Sequence, residues 1–130
     1  MGFDYGSKRI GVAIGQELTR TTSPLETVRC RRGRPDWAVI GRLIDTWHPD
    51  VLIVGIPVSE HGPESEVARA ARRFGRQLQG RYQLPVHWVD ERLTSEAAEG
   101  ILKQAGRRDP HAVDSVAAAL ILQAWLSEQT

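Results

Sequence analysis

Three carboxylates stand where this chain is otherwise apolar or strand-like. Asp4 interrupts Met1-Gly2-Phe3-Asp4-Tyr5-Gly6, Glu91 closes Val86-His87-Trp88-Val89-Asp90-Glu91, and Asp114 lies within Ala112-Val113-Asp114-Ser115-Val116-Ala117-Ala118. A carboxylate in apolar surroundings is costly unless its charge is compensated. One compensator can serve all three: a divalent cation held by oxygen ligands. The chemistry to which this trio points is therefore that of a metal-ion site.

Each acid also has a plainer reading. Asp and Gly favour tight turns, which would make Asp4 a turn residue. Yet Asp4 precedes Gly6 by two positions, and strand alternation puts Gly2, Asp4 and Gly6 on one face with space beside the carboxylate. Alternation sends Asp90 and Glu91 to opposite faces, Glu91 with His87 and Val89, Asp90 with Val86 and Trp88. It does not choose between them. Asp109-Pro110 fits a helix cap followed by proline at the first helical position. Asp114 then falls inside the helix, on one face with Ala117, Ala118, Ile121 and Trp125. A buried Arg or backbone group as its partner is the plainer alternative. Other chemistry is poorly supported. His48, His61, His87 and His111 show no mutual metal spacing, Ser59 and Ser65 sit in no nucleophile elbow, and Gly55-Ile56-Pro57 with Gly62 makes no Walker loop.

These acids need a scaffold to bring them together. At 130 residues and 41% hydrophobic, the chain suits one domain, residues 1–130, with its own core. Phe3–Tyr5, Arg9–Ile14 and Leu25–Cys30 read as three strands of an antiparallel meander. The rhythm then changes. A helix is predicted from Pro35 to His48, an apolar strand over Val51–Gly55, and a helix over Glu64–Gln79 with Val67, Ala70, Ala71, Phe74 and Leu78 inward. A strand ends at Glu91, a short helix capped by Thr94 or Ser95 runs to Gln104, and a last helix reaches Ser127. Trp37, Trp47, Trp88 and Trp125 are expected in or near the core. The order implies a mixed α/β sheet flanked by helices.

The net charge is +1, but the positive residues are clustered: Arg29, Arg31, Arg32 and Arg34, then Arg72, Arg73, Arg76 and Arg81, then Lys103, Arg107 and Arg108. Arg suits phosphate because its planar fork bonds two oxygens; such runs also serve as solvated faces. Cys30 is the single cysteine, which excludes an internal disulfide and a zinc-finger spacing and fits a reducing cytoplasm. The first fifteen residues lack a signal-peptide pattern, and no segment is long and apolar enough to span a membrane.

Four segments in order carry a resemblance. Gly2-Phe3-Asp4-Tyr5-Gly6-Ser7-Lys8-Arg9-Ile10-Gly11-Val12-Ala13, Val54-Gly55-Ile56-Pro57, Val89-Asp90-Glu91-Arg92-Leu93-Thr94-Ser95 and Val113-Asp114-Ser115-Val116-Ala117-Ala118 resemble the motifs of the YqgF/RuvX family. The resemblance implies a ribonuclease H-like fold with a five-stranded mixed sheet in the order β-β-β-α-β-α-β-α. It implies a nuclease maturing the 5′ end of 16S ribosomal RNA precursor, or a Holliday-junction resolvase acting on branched DNA. It selects Glu91 over Asp90 and makes Asp4, Glu91 and Asp114 the catalytic acids and ligands of one or two Mg²⁺ or Mn²⁺ ions. Lys8, Arg9, Arg92 and Thr94 match motif residues expected at phosphates. The implied partner is nucleic acid, with the protein a monomer or weak homodimer. Two departures stand out. Only Met1-Gly2-Phe3 precede Asp4, so fewer ladder bonds are expected beside it, and His61 stands where many relatives have Asp. A non-catalytic RNA-binding or ribosome-assembly module is the alternative from another class. An actin-like ATPase would need a second phosphate loop that is missing.

Overall fold

The computed structural model describes residues 1–58, 62–93 and 96–129, so Ser59, His61, Thr94 and Ser95 lie outside it. The elements run β1 (Gly2–Asp4), β2 (Arg9–Gln16), β3 (Thr21–Arg31), β4 (Arg34–Pro35), α1 (Trp37–Trp47), β5 (Leu52–Ile56), α2 (Glu66–Tyr82) and β6 (Val86–Asp90). A 3-10 turn (Glu91–Leu93), α3 (Glu96–Arg108), a second 3-10 turn (Pro110–Ala112) and α4 (Val113–Glu128) follow. The sheet order is β4-β3-β2-β1-β5-β6. Antiparallel pairs join β1 to β2 and β2 to β3, and parallel pairs join β1 to β5 and β5 to β6.

Six strands replace the expected five. The extra one is β4, which pairs Cys30 with Pro35 and Arg31 with Arg34. Arg32 (φ 53°) and Gly33 (φ 74°) close this hairpin in the left-handed region, as two-residue hairpin turns require. Pro35 is thereby drawn into the sheet, and α1 starts two residues later than predicted. Asp36 caps it, its side chain accepting from the Val39 N–H at 3.4 Å. Helix α2 is likewise displaced: Ser65 caps it, Ala68 rather than Val67 is buried, and Val67 is 52% exposed.

Strand β1 is short but bonded on both sides. Gly2 and Asp4 lie opposite Ala13 and Gly11 of β2, while Gly2 and Phe3 lie opposite Ile53 and Val54 of β5. The Ile53 N–H donates to the Met1 carbonyl at 2.8 Å, and the Met1 ammonium donates to the Val51 carbonyl at 3.0 Å. The first strand is as short as expected, three residues, and is bonded along both flanks.

Strand alternation divides the core in two. Phe3, Ile10, Val12, Val28, Leu52, Val54 and Ile56 face α1 and α2, where they meet Ile40, Ala71, Phe74 and Leu78. Ala13, Ile53 and Val89 face α4 and meet Ala118, Ile121, Leu122 and Trp125. Of the tryptophans, Trp37 stacks on Phe74 and Trp125 is buried, but Trp47 and Trp88 are exposed by 47% and 39%. Among the described residues, no helix is long and apolar enough to cross a membrane.

Candidate active site

Asp4 ends β1 and lies opposite Gly11 of β2. A Cβ on Gly11 would run into the Asp114 carbonyl, so the first turn of α4 rests directly on the sheet at this point. Glycine permits that approach because no side chain intervenes. Asp114 is thus brought to the position beside Asp4. It is the second residue of α4, not deep within a helix, because Asp109 caps the preceding 3-10 turn through the His111 N–H. The Thr27 hydroxyl of β3 donates to the His111 carbonyl at 3.1 Å and fixes that turn to the sheet.

Glu91 arrives from the other flank. Val89 is buried against α4 and His87 lies 5.6 Å from the Trp125 ring, centroid to centroid. Trp88 packs over Gly75 of α2 on the opposite side. The His87–Val89 face is therefore the α4 face, and Glu91 follows as the first residue of the 3-10 turn. A Cβ on Gly55 would come within 3.1 Å of Glu91 Oε1 and 2.5 Å of Ile121 Cδ1. Glu91 crosses this bare strand to hydrogen-bond with Asp4. Asp90 instead pairs with Arg92, whose Nε and Nη2 donate to Oδ2 at 2.8 and 2.6 Å and whose backbone N–H donates to Oδ1. These hydrogen bonds hold Asp90 below its ordinary range.

The electrostatics of the trio are strained. Burial first, then the charges of Glu91 and Asp114, push Asp4 from 3.8 to about 7. Burial also raises Glu91. The two carboxyls share a hydrogen bond, which requires a proton between them, so the pair holds one more readily than isolated acids do. Asp114 is close enough to act on Asp4 by charge, but its Oδ2 accepts from Arg9 Nε at 3.0 Å. That is the plainer Arg partner considered above, although Arg9 is 62% exposed. With one acid turned to Arg9 and two sharing a proton, no three His, Cys, Asp or Glu among the described residues converge as a ready metal cage.

Lys8 is exposed in the bend after β1, and its carbonyl accepts from the Cys30 N–H. Thr94 lies outside the described residues. Sequence reasoning missed Gly11 and Gly55 as the seats of Asp114 and Glu91. The available signal was a glycine inside an otherwise apolar strand, which marks close backbone approach.

The comparisons with known proteins agree with this architecture. The family model described as "RuvX: Holliday junction resolvase" matches residues 1–128. A relative from Nitrosococcus oceani named "Putative pre-16S rRNA nuclease" is 49% identical over 99% of this chain and 86% of its own length. One of the same name from Legionella pneumophila is 49% identical over 98% and 94%. The Thermus thermophilus RuvC structure superposes with a TM-score of 0.58 at 16% identity, covering 99% of this chain and 95% of that one. RuvC from T. thermophilus in complex with a Holliday junction substrate gives 0.56 at 17%, covering 98% and 93%. These structural likenesses establish the ribonuclease H-like fold. With a family model matched from its first residue almost to its last, and relatives nearly half identical along its length, this chain belongs to the RuvX family.

Proposed function

We propose that this chain is a divalent-metal-dependent nuclease that hydrolyses phosphodiester bonds in nucleic acid, acting in the cytoplasm in 5′-end maturation of 16S ribosomal RNA precursor. The observation that carries this reading is the meeting of Asp4 and Glu91 at the C-terminal ends of parallel strands, with Asp114 seated beside them on Gly11. In open α/β sheets, ligands bind in the crevice outside those strand ends. The shared name of the relatives supports the ribosomal RNA substrate.

The donor set fits a hard cation. Three carboxylates supply oxygen ligands, as Mg²⁺ and Mn²⁺ prefer. Burial and the neighbouring acids raise Asp4, a shift that a cation held beside it would oppose. Asp4, Glu91 and Asp114 would hold one or two ions, which when bound activate water and stabilise the leaving oxygen. Arg9 is placed to exchange Asp114 for a substrate phosphate. Lys8, Arg92 and Thr94 would contact flanking phosphates, contacts that position the strand without reading its sequence.

A second reading, resolution of four-way DNA junctions, is favoured by the description of the family model. A symmetric junction cut on two strands needs two sites, hence two copies of this chain. The test is cleavage of an end-labelled precursor rRNA and a four-way DNA junction with Mn²⁺ or EDTA, with a solution mass measured alongside. The proposal expects Mn²⁺-dependent cleavage of the RNA by a monomer. Junction cleavage by a dimer would select the second reading. Binding without cleavage of either would make the chain a non-catalytic RNA-binding module.

A further inference from the structure

We infer that Arg29, Arg31 and Arg34, continuing from Arg9, form a phosphate track that carries the nucleic-acid strand away from the acidic site along β3 and β4. This rests on the nuclease reading and assigns a further binding surface to it.

The track follows from register. Arg9 lies directly opposite Arg29, and Arg31 directly opposite Arg34. Residues opposite one another in an antiparallel pair share a face, as do residues two apart on a strand. Arg9 shares its face with Gly11, on which Asp114 sits, and Arg29 shares its face with Thr27, which bonds the turn before α4. All four arginines therefore project on the α4 side. The alternate residues confirm the orientation: Val28 and Cys30 pack into the core on the α1 and α2 side.

Like charges directly opposite one another destabilise a sheet. Here two such pairs follow in succession. Arg29, Arg31 and Arg34 are exposed, and none makes an ion pair among the described residues. Glu26, the nearest acid on β3, lies opposite Val12 on the other face and pairs with Arg42 at 3.7 Å. An anion supplied from outside would relieve both pairs at once.

The placement suits a polyanion. From the Asp4–Gly11–Thr27 row to the Arg31–Arg34 pair is four residues along β3, about 14 Å at strand rise. That spans about four nucleotides of helical rise. The acidic site itself repels phosphate, so attraction must come from its flank. Arg9 joins the two regions, since its Nε is held by Asp114.

The test is equilibrium binding, in EDTA so that nothing is cut, of a fluorescein-labelled precursor rRNA fragment and a labelled four-way DNA junction over a range of salt. Each lost phosphate contact lowers the salt slope by about 0.7–0.9. The Arg29→Ala/Arg31→Ala/Arg34→Ala variant is expected to bind more weakly, with a slope smaller by about 2, and the corresponding triple Lys variant to keep most of the slope. Removing the same charge from the far side of the sheet, with Arg69→Ala/Arg73→Ala/Arg76→Ala on α2, is expected to leave the slope unchanged. An unchanged slope in the β3–β4 variant would overturn the track while the nuclease reading stands, as would equal losses in both alanine triples. A wild type that binds neither probe would overturn both.

Discussion

At the residue scale, the site is organised by an unfavourable meeting of acids. Asp4 is half-buried and hydrogen-bonded to Glu91, and this burial, with the charges of Glu91 and Asp114, pushes it up from 3.8 to about 7. A carboxyl raised in the folded state contributes stability that is fully present below its unfolded pKa and is lost as pH rises through its folded value. Metal-free protein should therefore lose stability between about pH 4 and pH 7 on account of this group. Asp4→Asn removes the charge and keeps a donor for Glu91. Its melting temperature in EDTA should equal or exceed that of the wild type at about pH 8, the advantage shrinking towards pH 4. A variant markedly less stable than wild type at the higher pH would show that Asp4 is not under this strain. The Arg9–Asp114 pair is a smaller matter for stability. With Arg9 well exposed, Arg9→Gln should cost less than about 1 kcal/mol in a urea titration.

At the element scale, two glycines set the distance between the sheet and the acids, and they should fail differently. A methyl on Gly11 meets the backbone of α4 at Asp114, which cannot swing aside. Gly11→Ala should lower stability by about 1–3 kcal/mol and weaken cleavage as α4 moves. A methyl on Gly55 meets the ends of two side chains, Ile121 and Glu91. Gly55→Ala should keep most stability and lose activity by displacing Glu91. Parallel urea melts and cleavage assays separate the two, and equal effects would contradict the seating described. Much of this frame was legible in the sequence, because β2, β5 and the buried face of α4 carry strong apolar patterns. The β4 hairpin was not, because a left-handed Arg32 beside Gly33 leaves a weak turn signal and Pro35 looks like a helix start. Asp4 and Asp114 were visible as acids among apolar residues. Glu91 differs from Asp90 in its motif, and in its contacts only once the fold is seen: Glu91 hydrogen-bonds with Asp4 while Asp90 pairs with Arg92. The Arg9 partner of Asp114 was invisible to local pattern, since it joins residues 105 positions apart.

At the scale of the whole molecule, the charge is small in sum and divided in space. Acids gather at one end of the parallel strands, and arginines line the exposed face beside them. Such a molecule should be stabilised by any cation that binds the folded state alone, by RT ln(1 + [L]/Kd). Mn²⁺ should therefore raise the melting temperature, more at about pH 8 than at pH 5, where the proton on Asp4 competes. A shift independent of pH, or retained in Asp4→Asn, would place the ion elsewhere. The most direct test of the account is single-turnover cleavage of precursor rRNA in Mn²⁺ by wild type, Asp4→Asn and Asp114→Asn, with folding verified by circular dichroism. The account predicts that both folded variants lose at least about two orders of magnitude in rate, as removal of a group that stabilises the transition state does. Cleavage at the wild-type rate by both variants would contradict it.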